Sequence, residues 1–410
     1  MKKAQLVIGA GIATVALALT GCSGSGGDSG GKVVLQEEDY YALTSPQGKA
    51  LQWLYDEYEK THPNVKIEST KVVQNLVPKL QSQATTNSLP DIAIVDNPDF
   101  PIIQATGKLQ DLPLDDWGLG DAYIPGAAKV TEVKGKTQGV FIGTNALAIQ
   151  YNKDMFAAAG ITEPPKTWDE FLDVAKKLTK PGVLGFMFAG SNNGCSVWQS
   201  DPWRWTAGGS DTKLDDEGNQ KALEFLTSIV ESGAASKDVV NQCQDESAQA
   251  MTQGKVAMIE NGPWEFGVLN DAKDLAWDSF PIPVPKAGDT LQVPLGGEVW
   301  TLPKSGDTAR EKAARDFLKW SQGKDVLKQF TTKLGYISVN KELLDETTAD
   351  TPALAAYVES VKTARGRTTD LGTKTSAMTA SLGTAIQQAL TGQSSPKDAL
   401  AAAQKDFASK

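Results

Sequence analysis

Gly254-Lys255-Val256-Ala257-Met258-Ile259-Glu260-Asn261-Gly262-Pro263-Trp264 is the stretch on which the rest of the chain turns. Val256–Ile259 is a short, mostly apolar run of the kind that forms a buried strand. Asn261-Gly262-Pro263 ends it, because Asn and Gly accept unusual dihedrals and Pro cannot extend a ladder. Trp264, a large amphipathic ring, therefore stands just past a strand end. Open α/β sheets bind their ligands at such ends. On this stretch alone, a core tryptophan and a ligand-facing one are both open.

Working outward, the length of 410 residues exceeds what one compact core organises, so two domains are expected. The net charge is −10, and loss of Lys2 and Lys3 with a leader would take it to −12. An acidic chain of pI 4.9 is poorly suited to gripping phosphates or nucleic acid. Neutral or cationic ligands fit better. The single histidine, His62, lies in Thr61-His62-Pro63-Asn64, where a helix gives way to an extended segment. A turn role is expected for it, so Ser-His-Asp chemistry and His-ligated metal sites are not expected.

The N-terminus reads as an address. Lys2 and Lys3 precede an apolar run from Leu6 to Leu19, then Leu19-Thr20-Gly21-Cys22. This is the pattern of a secretory signal over residues 1–21, and the run is short for a membrane span. Leu-Thr-Gly-Cys resembles the bacterial lipobox, which implies cleavage before Cys22 and lipid on its thiol. Residues 22–31 supply little to bury and read as a flexible tether with a reach of roughly 16 Å. Export places Cys195 and Cys243 in an oxidising setting, where a disulfide between them is expected.

Along the folded part, Lys32–Leu35, Val65–Glu68 and Asp91–Val95 read as strands separated by helices. Ser45-Pro46 starts the first helix as cap and first-turn proline. Strand, helix, strand, helix, strand implies a parallel sheet with right-handed crossovers. Thr167 to Glu170 forms a capping box for a later helix. Ser191–Gly209, with Trp198, Trp203, Trp205 and Cys195, reads as an unusual loop, and the chain's end reads as helical.

Nucleotide motifs fail on inspection. Gly135-Lys136-Thr137 has Val130 where a P-loop needs glycine, and Gly254-Lys255 is followed by Val256. No Cys or His pair has metal-ligand spacing, so no metal and no cofactor is expected. What remains is a set of strand-end loops carrying acids, amides and aromatic rings. They hold Asp39, Tyr40 and Tyr41, then Asp96, Asn97 and Asp99, then Asn145. Trp198, Trp203, Trp205, Trp264, Glu298 and Trp300 complete the set. Carboxylates and carboxamides suit adjacent sugar hydroxyls, and indole faces suit the C–H face of a pyranose. Pockets of this kind are a few polar groups on an aromatic lining.

Several ordered pieces resemble one family, the extracellular carbohydrate-binding proteins of ATP-binding cassette importers. They are Tyr151-Asn152-Lys153-Asp154, Pro165 to Phe171, Gly254 to Met258 with Asn261 to Trp264, and Gly296-Gly297 with Trp300. The resemblance implies two α/β lobes, each a mostly parallel sheet flanked by helices, joined by a hinge crossed more than once. Lobe one would be 32–143 with 298–345, and lobe two 146–293 with 350–410. It implies a stacking role for Trp264, first-lobe contacts at Asp96, Asn97 and Asp99, and a crossover contact at Asn145. Arg365 lies where late-chain pocket residues occur in the family. The implied function is a monomeric, non-enzymatic receptor, anchored by its lipid outside the cell membrane, that passes a neutral oligosaccharide to permease subunits. Asn145 stands where maltodextrin binders carry an acid, which argues against maltodextrin itself. An exported glycoside hydrolase pairing Asp39, Asp96 or Glu298 is the competing reading.

Overall fold

Two sheets organise the computed structural model, which describes residues 32–192, 194–344, 346, 351–367 and 370–410. The signal segment, Cys22 and the tether lie outside those residues. In the first sheet the strands run Val65–Lys71, Val33–Asp39, Ile92–Asp96, Glu298–Thr301, Val140–Phe141. The first three are parallel, as their helical crossovers demand. Glu298–Thr301 is antiparallel to both its neighbours. The second sheet orders Trp277–Phe280, Ala148–Asn152, Val256–Asn261 and Leu184–Met187, and only the last pair is parallel.

Pairing is therefore mixed, not mostly parallel, and the reason is how the chain changes sheets. Glu298 begins its strand opposite Asp96, where the neighbouring strand ends, and Ala148 begins opposite Asn261. Each of these strands is entered from the other sheet, so it starts at the edge where the others finish. The two crossing segments lie side by side: Gly296 N–H donates to the Asn145 carbonyl at 2.9 Å, and Thr144 Oγ1 to the Gly296 carbonyl at 2.8 Å. Gly297 has φ of +99°, and a β-carbon there would also stand 2.6 Å from the Gly143 carbonyl oxygen. A third segment pairs with the first through Thr144 and Ile337, each amide donating to the other's carbonyl at 2.8 Å.

Among the described residues there are two large hydrophobic cores, one for each sheet, and a smaller third one that holds Met251, Val256, Ile259 and Leu269. Leu35, Leu54, Ile94, Trp300, Phe317 and Phe330 belong to the first; Phe171, Phe186, Trp203, Leu226 and Leu382 belong to the second. Each such side chain contributes roughly 1.5–3 kcal/mol by leaving water. Helices Thr375–Thr391 and Pro396–Ala408 place Met378, Leu382 and Phe407 in the second core. Leu354–Ala364 behaves differently. Its apolar residues join the first core, while Tyr357 OH donates to the Asn261 carbonyl at 3.0 Å in the second sheet. This segment therefore spans the two bodies instead of belonging to the second lobe alone.

The expected loop around the three tryptophans is a helix, Cys195–Thr206, with Pro202 inside it. At 100° per residue, Trp198 and Trp205 fall on one side two turns apart and Trp203 on another. Trp203 is accordingly fully buried in the second core, with its Nε1–H donating to Glu260 Oε2 at 2.8 Å. Cys195 at the head of this helix is disulfide-bonded to Cys243, with a Cα–Cα distance of 5.6 Å.

Candidate functional site

The first sheet ends its strands at a cleft, and Asp39 shapes that end without entering it. Asp39 is buried, ion-paired with Lys71 directly across the parallel ladder, and accepts the Tyr41 N–H at 2.7 Å. That short turn swings Tyr40 and Tyr41 outward, with ring centroids 4.7 Å apart. Both phenols converge on Glu298. Tyr40 OH donates to Glu298 Oε1 at 2.7 Å, Tyr336 OH to the same oxygen at 3.0 Å, and Tyr41 OH lies 3.3 Å from Tyr336 OH. Burial pushes the Glu298 carboxyl up to about 7 even though these phenols favour its charged form.

The next strand end is divided in its roles. Asp96 accepts the Asn97 N–H at 2.9 Å and starts a short turn that carries Asp99. Asn97 is fully buried, and its Nδ2 donates to the carbonyls of Leu295 and Gly297 at 2.9 and 3.1 Å. It ties the strand end to a crossing segment and does not face the cleft. Burial, with Asp96 beside it, raises the Asp99 carboxyl to about 6 against the opposing charge of Arg367.

The opposite wall belongs to the second sheet. Val256–Asn261 is buried at every position, and the break after it is locked from within. Asn261 Oδ1 accepts the Gly262 N–H at 2.8 Å, while Nδ2 donates to the Gln244 carbonyl at 3.0 Å and Ser247 Oγ at 3.1 Å. Pro263–Glu265 then forms a single tight turn that presents Trp264, half-buried, to the cleft. Trp198 also reaches the cleft, but only 8% of it is exposed. The Arg367 guanidinium lies 4.8 Å over its ring, and Gly296 is so close that a β-carbon would meet the indole at 2.8 Å. Asn145 stands beside it on the crossing segment.

The cleft has two chambers. The larger, about 590 Å³, is lined by Tyr40, Tyr41, Asn145, Trp198, Trp264 and Glu298, among others. A second of about 450 Å³ adjoins it and includes Asp99 and Thr379; Asp96, Gly194 and Arg367 border both. Eight of the expected residues thus come together: Tyr40, Tyr41, Asp96, Asp99, Asn145, Trp198, Trp264 and Glu298. Asp39, Asn97, Trp203, Trp205, Trp300 and Arg365 do not line either chamber. Trp300 packs in the first core between Phe317 and Phe330. Trp205 donates to Asp211 Oδ1 at 3.0 Å beneath Arg365, whose guanidinium lies 3.8 Å over its ring and bonds Asp211 Oδ2 at 2.8 Å.

Residue-type reasoning missed Gln47, Tyr336, Gln244, Asp245 and above all Arg367, all of which line the larger chamber. Arg367 was within reach. It lies two residues beyond Arg365, just past the short strand Arg365–Gly366, and the two guanidinium groups lie over the rings of Trp205 and Trp198. Among the described residues, no group of three or more His, Cys, Asp or Glu is placed to hold a metal ion.

Residues 53–357 match the family model of bacterial extracellular solute-binding proteins. The diacetylchitobiose binding protein DasA of Streptomyces coelicolor is 26% identical over 392 residues, covering 90% of this chain and 89% of that protein. The maltotriose-binding protein of Pyrococcus abyssi is 26% identical over 340 residues, covering 77% of this chain and 68% of that one. Among solved structures, the fold is similar to that of the cyclic alpha-maltosyl-1,6-maltose binding protein from Arthrobacter globiformis. That match has a TM-score of 0.75 at 24% identity, over 92% of this chain and 99% of the other.

Proposed function

The chain belongs to the bacterial extracellular solute-binding protein family, and we propose from that premise that it is the sugar receptor of an ATP-binding cassette importer. Its ligand is a neutral oligosaccharide, held between two lobes and delivered to the permease subunits. The observation that carries the sugar reading is the convergence of Trp264 from one sheet with Tyr40, Tyr41 and Glu298 from the other. Aromatic faces cover the apolar face of a pyranose, and Asp96, Asn145 and Glu298 supply the paired hydrogen bonds its hydroxyls require. The named ligands of the two relatives, diacetylchitobiose and maltotriose, support the same class.

Lobe one comprises 32–143 with 298–345, and lobe two 146–293 with 350–410, the segment 354–364 bridging them. The three paired segments at 143–145, 296–297 and 337 are the hinge. Ligand stabilises the closed arrangement by touching both walls at once, a population shift about that hinge. No bond is made or broken. The protein is a monomer held at the outer face of the cell membrane by lipid on Cys22, a reading that rests on Leu19-Thr20-Gly21-Cys22.

Isothermal calorimetry and tryptophan fluorescence against maltooligosaccharides and chitooligosaccharides provide the test. Saturable binding to at least one series, with no product released over hours, is the expected result. Absence of saturable binding across both series and the rest of a broad oligosaccharide panel would overturn the sugar reading, and slow release of shorter sugars would favour a hydrolase.

A further inference from the structure

The two chambers differ in chemistry more than in size. Around the larger stand five aromatic rings, those of Tyr40, Tyr41, Trp198, Trp264 and Tyr336. None lines the smaller. There, the helix Thr375–Thr391 turns Ser376, Thr379 and Thr384 toward Asp99 and Asp96 on the facing strand end. Ser376 and Thr384 are exposed and Thr379 is half-buried. Among the described residues, the hydroxyls of Ser376 and Thr379 and the carboxylate of Asp99 have no hydrogen-bond partner. Donors and an acceptor thus face one another across a space of about 450 Å³, itself within the usual range for a small-molecule pocket of roughly 300–1,000 Å³.

Arg367 is the partition. Its Nη1 lies 3.4 Å from Asp96 Oδ2 and its Nε 4.0 Å from the buried Asp201 Oδ2, with the guanidinium plane over Trp198. Only 13% of the side chain is exposed, and it borders both chambers. A guanidinium so placed still has N–H groups to offer on either side, because it carries five donors in a planar fork.

We infer that the smaller chamber is a second subsite, which takes a further hydroxyl-bearing sugar unit by hydrogen bonds alone, and that Arg367 is the residue both units share. This rests on the sugar reading of the cleft. One ligand then meets two kinds of wall. The unit in the larger chamber is held by stacking, and the unit beyond Arg367 is held edge-on by Asp99 and the hydroxyls of Thr379 and Ser376. The chain therefore selects for ligand length: an oligomer that fills both chambers gains the second set of bonds, and a short one does not. Hydrogen bonds of this kind are orientation-sensitive, so linkage at the junction past Arg367 is selected as well.

Thr379→Leu combined with Ala380→Leu removes a hydroxyl and fills the smaller chamber from an accessible helix face. Calorimetry with the wild type and this double variant, using maltooligosaccharides of two to five units and chitooligosaccharides of two to four, separates the outcomes. Expected is a step in wild-type affinity of about tenfold or more as length increases within the series that binds. The variant should lose that step and keep wild-type affinity for the shortest binding member. Equal affinity of wild type and variant at every length, or an equal loss at every length, overturns the second subsite while leaving the sugar reading intact. Wild-type protein that binds neither these series nor any other member of a broad oligosaccharide panel overturns both.

Discussion

The indole of Trp264 lies directly against the α-carbon of Gly262: a β-carbon on residue 262 would stand 1.9 Å from the ring. Gly262 has φ of −105° and ψ of 174°, a backbone that any residue adopts. The glycine is needed for what lies beside it and not for its dihedrals. Gly262→Ala therefore tests the placement of the ring without straining the chain. It should push Trp264 from its seat and weaken sugar binding in the same direction as Trp264→Ala, which is expected to lose about 1–3 kcal/mol. Titration of both variants beside the wild type checks this. Unchanged affinity for Trp264→Ala in a folded protein would take that ring out of the site.

Glu298 makes stability fall as pH rises. Its carboxyl sits at about 7 in the folded chain against an ordinary value of 4.5, because burial disfavours the charge more than Tyr41, Tyr40 and Tyr336 favour it. The folded state then binds more protons than the unfolded one between those values. The advantage is full below about 4.5 and is lost on passing through 7, an effect on the order of 3 kcal/mol. Glu298→Gln has no such carboxyl. Urea melts of the two proteins at pH 5 and pH 8 should show the wild type losing ground relative to the variant at the higher pH. A difference that does not change with pH would refute the assignment.

Arg204 is a buried cation whose loss cannot be relaxed by water. It bonds Asn219 Oδ1 at 2.9 Å and Asp211 Oδ1 at 3.1 Å, and pairs with Asp201 as well. Arg204→Met would leave two buried carboxylates facing each other, with Arg365 and Arg367 reaching them only from the edge. A loss of about 3–5 kcal/mol is expected from denaturant melts at pH 7. The deficit should shrink as the pH is lowered and those acids take up protons.

How much of this was legible in the sequence varies with how local the determinant is. The strand at Val256, its Asn-Gly-Pro stop and the position of Trp264 follow from neighbours in sequence, and they stand in the structure where that pattern puts them. Asp39 was misassigned because its fate is set by Lys71, a partner across the ladder that no local pattern reveals. Asn97 likewise answers to carbonyls some two hundred positions away. The tryptophan segment, Ser191–Gly209, reads as an unusual loop in sequence, yet it holds the helix Cys195–Thr206. The seven-residue interval from Trp198 to Trp205 would have shown a helix face, and so which indole points inward. Strand direction in the second sheet was beyond reach for a different reason, since it depends on where the chain crosses between bodies.

The disulfide joins two pieces of the cleft wall, so its removal should cost binding as well as stability. Cys195 heads the helix that carries Trp198, and Cys243 immediately precedes Gln244, whose carbonyl receives Asn261 Nδ2 at the base of the Trp264 turn. Closing a span of 48 residues contributes about 4 kcal/mol in the chain-entropy model. Cys195→Ser with Cys243→Ser should therefore lower the unfolding free energy by a few kcal/mol. If the bond also holds the two indole-bearing walls in register, the folded double variant should bind the same sugar several-fold more weakly at a temperature where circular dichroism shows it intact. Weaker binding that tracks only the unfolded fraction would mean that the bond acts on folding alone. Gln244→Ala keeps the disulfide and the backbone carbonyl, so it should leave stability near wild type and report whether the Gln244 side chain itself touches the ligand.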